Sequence, residues 1–425
     1  GLGKFFIDLA SALAGRYAGG PAKVSIFGSA LFGMISGSSI ANTVTVGSLT
    51  IPAMIRLGYQ RHFAAAVEST ASTGGQITPP IMGAAAFLMV EFLNTPYQTI
   101  ILAAVVPAFM HFFGVFCQVH FEAKKHGLRG LTPEELPDVR EVLRRDWPTS
   151  IPLFVLLIVL FSGFTPYLAA FWGITACMVV GLTGRNGIVA LGMLAAIAAA
   201  VFLGVFQRGD VTVGLIAACA LVAAAFLLRD PEARRKVADM VDSFVVGAKY
   251  AIAVGAAAAT VGIIVGVVTL TGVGFKISSI VTDAAGYLAA LTGGLLPASL
   301  FEIKDWTLFY TLVMTAVVCI LLGCGVPTTA NYIIMVTVAA PALGLLGVAP
   351  IVAHFFVFYY GVLADITPPV ALAAYAGASM AGADPFKTGN TAFRLGLAKV
   401  LVPFVFVYAP AMLIVTKGFT WFAFF

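Results

Sequence analysis

Two asparagines stand in short polar runs of an otherwise apolar chain. Asn42 closes Ser36-Gly37-Ser38-Ser39-Ile40-Ala41-Asn42, and Asn331 closes Gly325-Val326-Pro327-Thr328-Thr329-Ala330-Asn331. Side-chain amide and hydroxyl oxygens, joined by carbonyls of unwound backbone, suit a hard monovalent cation such as Na⁺ and need no formal charge. Free N–H groups at a helix start suit an anion. Thr78 and Thr367 extend the oxygen set, each inside an Ile-Thr-Pro-Pro run. Asp365 stands just before the second of these runs, where the first has Gln76. An acid inside a membrane segment is a functional candidate by default. Asp365 would give one cation site a formal charge and leave the other without one, or it caps the broken backbone.

Each group also has a structural reading. Ser and Thr in membrane helices commonly bond the preceding turn's carbonyl. Gly-rich and Pro-rich breaks serve packing and kinks. Glu68 either pairs with a neighbour or relays protons. His62, His111, His120, His126 and His354 lack ligand spacing, and the five cysteines form no C-x-x-C pair.

What raises the polar runs above these readings is their register. Asn42 and Asn331 are 289 residues apart. At the same offset Pro52 meets Pro341, Gly58 meets Gly347, Ile77–Pro80 meets Ile366–Pro369, and Pro96 meets Pro385. A single ungapped register through so many special residues is an internal duplication.

The elements that must position these groups follow from composition. The chain has 425 residues, 60% hydrophobic and 10% charged, with a mean hydropathy of +1.01. Soluble proteins carry about 25% charged residues, so this is a polytopic membrane protein. Its apolar runs are continuous rather than alternating, which predicts helices and an all-α fold. Residues 1–18 read as an arm or interfacial helix. Residues 19–122 form the first repeat: a hairpin over about 21–56, a helix over about 63–91 broken at Gly74–Pro80, and a span over about 97–122. The hairpin arms, Val24–Ile35 and Val44–Ile55, are each too short to cross and meet at a polar tip, so the hairpin is re-entrant. Residues 123–244 hold two basic loops (123–147 and 229–236) and four spans, about 150–165, 166–183, 187–206 and 211–228. Residues 245–304 give a span and a mixed, interfacial helix. Residues 305–425 form the second repeat: a hairpin over about 305–346, a helix over about 351–381 broken at Leu363–Pro369, and a last span over about 397–416.

The two basic loops are separated by four spans and so share one side, the cytoplasmic one by the positive-inside rule. Counting outward puts Arg56 and Arg61 inside. If residues 276–300 stay interfacial, Lys387, Arg394 and Lys399 are also inside and the repeats are inverted. Inverted repeats with paired hairpins and broken helices point to a midplane substrate and ion site in a secondary transporter. A pore lined by the two hairpins is the alternative of a different class. No H-E-x-x-H, G-x-S-x-G or Walker loop is present, so the chain reads as no enzyme, and an ion gradient or another subunit supplies the energy.

The most specific stretches resemble the large membrane subunit of tripartite ATP-independent periplasmic (TRAP) transporters. They are Ile35–Asn42, Ser72–Pro80, Gly325–Tyr332, and His354–Gly361 running into Ile366–Pro369. The Asn42 form of the first tip and the Ser-Thr-Gly-Gly-Gln run are similar to the TAXI branch, whose two membrane subunits are often fused. The resemblance implies an elevator-type fold and Na⁺-coupled or, in some members, H⁺-coupled uptake of small organic acids. A periplasmic binding protein would deliver the substrate, a small membrane subunit would be separate or fused, and the location would be the bacterial inner membrane. Another cation-coupled anion transporter of the same superfamily, working without a binding protein, is the alternative. Matched motif by motif, a first Na⁺ site falls on Ser38, Ser39, Asn42, Gly75 and Thr78. A second falls on Thr328, Thr329, Asn331, Asp365 and Thr367. The substrate is expected at Ser38, Ser39, Gly325, Pro327 and Thr328. About 20 residues precede the first hairpin, where the family has scaffold helices, so the chain is expected to be a piece of a longer permease.

Overall fold

The computed structural model describes residues 2–183, 186–208, 231–292 and 302–414. All its regular elements are helices, and no strand occurs among the described residues. The chain divides into two units.

One unit comprises Gly1–Phe5 with Asp138–Gly255. Within it α7 (Val139–Asp146) leads through a short 3-10 turn into α8 (Ile151–Phe161), α9 (Pro166–Leu182) and α10 (Gly187–Arg208). Ile151, Ala176, Val179, Val180, Ala190, Leu194 and Ile197 form its packed core.

The other unit comprises Phe6–Pro137 with Ala256–Phe425 and holds both polar tips. After α1 (Leu2–Ala14), α2 (Gly20–Ser36) and α3 (Ser39–Leu57) form a helix pair. They turn at Gly37, whose φ of 63° lies in the left-handed region that glycine enters without a Cβ penalty. Next come α4 (Arg61–Gly75), a non-helical break, α5 (Ala84–Leu93) and α6 (Tyr97–Lys125). Helix α11 (Pro231–Thr271) belongs to the first unit up to Gly255 and to this one from Ala256 on. It and α12 (Val273–Thr292) lead to α13 (Ile303–Gly323), α14 (Thr328–Val338) and α15 (Ala340–Leu345). Then α16 (Pro350–Leu363), a second break, α17 (Leu372–Ala381), α18 (Pro385–Leu395) and α19 (Leu397–Tyr408) complete the order.

Two helices form the centre of this unit. Every residue of α4 from Ala64 to Gly75 is buried. Its Ala, Ser, Thr and Gly side chains allow close backbone approach from all sides. It packs against α2, α3, α6, α17 and α18. Every residue of α16 from Val352 to Leu363 is buried too, here through aromatic bulk. It packs against α13, α14, α15, α19 and α5. The crossings are reciprocal. The second half of each broken helix, α5 or α17, lies against the first half and the post-tip helix of the other repeat.

Local backbone repeats with the sequence. Pro79-Pro80 and Pro368-Pro369 are both cis, Met82 and Ala371 both have positive φ (63° and 38°), and so do Gly58 and Gly347. Each pair is 289 residues apart.

Five described helical segments are long and apolar enough to cross a membrane: Ser39–Leu57, Tyr97–Lys125, Ile303–Gly323, Thr328–Leu345 and Pro385–Tyr408. A sixth arises if Ala259–Thr271 and Val273–Thr292, bent by 71°, count as one. The chain is thus a multi-pass membrane protein, and all regular structure among its described residues is helical.

Several boundaries differ from those read off the sequence. The arms of the first helix pair are 17 and 19 residues long, because Gly20–Lys23 and Ser39–Thr43 are helical as well. Lys23, Ser39 and Asn42 are polar but buried, so hydropathy hid them. Residues 231–236 of the second basic loop are the first turns of the 41-residue α11. Pro231 fits a first helical turn, and Glu, Ala, Arg and Lys are good helix formers. The mixed segment around 276–300 is helical to Thr292 as α12, and its remainder lies outside the described residues. So does the span expected at 211–228. The last span is preceded by the amphipathic α18, which the sequence reading left out.

Candidate functional site

The two asparagines sit in matching cradles. Asn42 is wholly buried, and its Nδ2 donates to the carbonyls of Ser29 (3.0 Å) and Ser72 (3.5 Å). Asn331 is wholly buried as well, and its Nδ2 donates to the Gly361 carbonyl at 3.3 Å. Gly361 is the register equivalent of Ser72. Small residues make room for both amides. A Cβ on Gly33 would stand 2.6 Å from Asn42 Nδ2 and 2.7 Å from the Gly75 Cα. One on Gly323 would stand 2.5 Å from Asn331 Nδ2 and 2.8 Å from the Ala364 Cβ.

With the nitrogens so engaged, Asn42 Oδ1 and Asn331 Oδ1 accept no hydrogen bond among the described residues. A buried carbonyl oxygen without a donor is costly. It is also the donor a hard cation takes, and it occurs at the same place in both repeats.

The breaks repeat in the same way. Thr78 Oγ1 donates to the Gly74 carbonyl at 2.6 Å, and Thr367 Oγ1 to that of Leu363 at 2.8 Å. The amides of Thr78 and Thr367 donate to Gly75 and Ala364 at 3.1 and 3.2 Å. Each threonine oxygen keeps lone pairs free to accept or ligate.

Between the repeats the structure builds a third grouping. Asp365, in the 3-10 turn Ala364–Ile366, receives on Oδ2 the Ser39 hydroxyl (2.5 Å), Gln76 Nε2 (3.4 Å) and the Thr328 hydroxyl (3.4 Å). Gln76 and Asp365 are register equivalents, as are Ser39 and Thr328. A residue touching its own equivalent is an isologous contact and marks a local two-fold relation. Ser39 and Thr328 begin α3 and α14, so two helix N-termini, which favour negative charge, meet at this carboxylate.

The residues singled out by sequence therefore divide into three places. Asn42, Gly75 and Thr78 gather at the first break, and Asn331 and Thr367 at the second. Ser39, Thr328 and Asp365 meet between them, so Ser39 reaches across from its own repeat. Ser38 caps α3, its Oγ accepting from the Ala41 amide at 3.3 Å. Gly325 (φ 79°) and Pro327 form the exposed turn before α14. Thr329 is half-buried beside Thr328 and joins none of these bonds.

Sequence reasoning missed one charged group. Charge placement puts Lys399 with the cytoplasmic anchors, yet it is wholly buried, and its Nζ donates to Thr73 Oγ1 at 2.8 Å. It lies within electrostatic reach of Asp365. The available signal was a lysine at the third position of an apolar helix, Leu397-Ala398-Lys399-Val400-Leu401.

The family model described as tripartite ATP-independent periplasmic transporter, DctM component, matches residues 1–187 and 180–421. The isethionate TRAP transporter permease protein DctMQ of Oleidesulfovibrio alaskensis is 29% identical over 195 residues, covering 42% of this chain and 29% of that protein. The C4-dicarboxylate TRAP transporter large permease protein DctM of Vibrio cholerae is 30% identical over 177 residues, 40% of this chain and 37% of that protein. The sialic acid TRAP transporter large permease protein SiaM of the same organism is 26% identical over 171 residues, 40% of each chain. In these three, the matched stretch spans at most 40% of the relative's own length.

Proposed function

The chain belongs to the family of the DctM component, the large permease of tripartite ATP-independent periplasmic transporters, and we propose that it carries small organic acids across the bacterial inner membrane by secondary active transport coupled to Na⁺. The observation that carries this reading is the pair of wholly buried asparagine oxygens, Asn42 Oδ1 and Asn331 Oδ1, which accept no hydrogen bond among the described residues. They stand at equivalent places beside two broken helices. Each is poised to offer an uncharged oxygen to a monovalent cation, with backbone carbonyls of the adjacent break completing the ligand set.

The substrate anion would bind at the two tips, at Ser38, Ser39, Gly325, Pro327 and Thr328, where the N-termini of α3 and α14 favour negative charge. The relatives' substrates, C4-dicarboxylates, sialic acid and isethionate, are all organic acids. By analogy with them a periplasmic binding protein hands over the substrate, and a small membrane subunit, separate or fused as in DctMQ, completes the permease. The Asn42 tip and the Ser72–Gln76 run favour the TAXI branch. Both hairpins and both broken helices would move together past the remaining helices, as an elevator. In this reading the repeats are inverted, with the first hairpin entering from the cytoplasm.

The test is uptake into proteoliposomes carrying the full transporter, supplied with its binding protein, with and without an inward Na⁺ gradient. Uptake that follows the gradient supports the proposal. Uptake indifferent to Na⁺, or conductance without the binding protein, contradicts it.

A further inference from the structure

Glu68 is wholly buried in the middle of α4 and is the acceptor of four hydroxyl groups. Ser29 Oγ (2.5 Å) and Ser72 Oγ (3.0 Å) donate to its Oε1, and Ser25 Oγ (2.7 Å) and Thr50 Oγ1 (2.5 Å) to its Oε2. These donors come from α2, α3 and α4, so the carboxyl clasps both arms of the first helix pair to the broken helix. Two hydroxyls at each oxygen can satisfy an ionised carboxylate, which only accepts. No lysine, arginine or histidine forms an ion pair with Glu68 among the described residues.

An uncompensated buried anion is expensive, and such charges are kept where an ion completes them. The Glu68 cluster adjoins the first asparagine cradle directly. Ser29 and Ser72, whose hydroxyls hold Glu68 Oε1, are the two residues whose carbonyls hold Asn42 Nδ2. The second repeat shows why a charge belongs here. At the register equivalents of Glu68, Ser25, Ser29, Thr50 and Ser72 it has Val357, Met314, Val318, Ala339 and Gly361, so the cluster has no counterpart. That repeat instead has Asp365, where the first has the neutral Gln76. Each repeat therefore contains one buried acid, in different positions: Glu68 shares Ser29 and Ser72 with Asn42, and Asp365 lies between the repeats on Ser39, Gln76 and Thr328.

We infer that Glu68 is the fixed counter-charge of the first repeat's cation site, a positioning residue that stays ionised and attracts the ion to Asn42 without touching it. The inference rests on the Na⁺ reading given above. It replaces the expectation that the first site is without formal charge. Ser25, Ser29, Thr50 and Ser72 spread the charge over four hydrogen bonds, which keeps the carboxylate ionised while the cation enters and leaves.

The experiment measures Na⁺ activation of uptake by the full transporter with its binding protein, in wild type, Glu68→Gln and Glu68→Asp. Removing the unit counter-charge weakens the attraction for the ion and raises half-saturating Na⁺ about tenfold or more in Glu68→Gln. Half-saturating substrate at high Na⁺ stays as in wild type. Glu68→Asp keeps the charge and stays within about threefold of wild type for Na⁺. Wild-type Na⁺ dependence in Glu68→Gln overturns the counter-charge role alone, as does an equal shift in Glu68→Asp, which would mean packing. A wild-type protein without Na⁺ dependence overturns the cation sites themselves, and this role with them. Should Glu68→Gln not accumulate, Thr50→Val joins Glu68→Asp as a second charge-retaining variant, and a tenfold shift in either overturns the role.

Discussion

Gln76 donates to Asp365 at 3.4 Å across 289 residues of chain, each residue touching its own counterpart in the duplicated sequence. The same carboxylate oxygen takes the hydroxyls of Ser39 and Thr328, which are counterparts too. The two repeats are thus joined at one acid and one amide, with the first residue of each post-tip helix closing over them.

This contact predicts a swap experiment. Gln76→Asp alone puts two carboxylates against each other in a buried place, where both cannot ionise together. Its thermal stability in detergent falls, by an amount equivalent to about 2 kcal/mol or more. Gln76→Asp combined with Asp365→Gln restores one acid and one amide and recovers most of that loss. A double variant as unstable as the single one would show that the site is not two-fold related in its energetics.

Close approach of backbones at the first cradle makes a second prediction. In Gly33→Ala the new Cβ meets both Asn42 and Gly75, so the first helix pair must move off the broken helix. We expect a loss of about 1–3 kcal/mol of stability and of most uptake. Gly286→Ala, where nothing lies within 4 Å, is neutral or stabilises by about 0.5–1 kcal/mol. Thermal unfolding of the two variants separates the cases.

Lys399 gives a third. Its buried ammonium has the Thr73 hydroxyl as partner at 2.8 Å, with no carboxylate in direct contact among the described residues. A charge so placed costs folding free energy. Lys399→Met keeps the length and removes the charge, so thermal stability is unchanged or higher. Uptake falls about tenfold or more, because the charge near Asp365 is retained for function. A variant that loses stability and keeps uptake would make Lys399 a structural residue.

The sequence made some of this plain and hid the rest, for physical reasons. Gly74-Gly75 and Thr78-Pro79-Pro80 lack helix propensity whatever surrounds them, so both breaks were legible, and so was the register that relates them. The four hydroxyls around Glu68 were not, since they lie on three helices whose meeting depends on packing. Nor was the reach of Ser39 to Asp365, which exists because α3 of one repeat crosses α17 of the other. Hydropathy misplaced the polar ends of α2 and α3 and the burial of Lys399, because it cannot distinguish a polar residue facing water from one facing a partner.

The central claim is that Asn42 and Asn331 each present an oxygen to a cation, and its most direct test is the Na⁺ activation curve of uptake for Asn42→Ala, Asn331→Ala and wild type. In wild type the expected curve is steeper than hyperbolic. In either variant half-saturating Na⁺ rises on the order of tenfold and the steepness falls, because an oxygen ligand is lost from one of two sites. Protein accumulation in the membrane is little changed. A variant curve that superimposes on that of wild type would remove its asparagine from the ion's coordination and contradict the account.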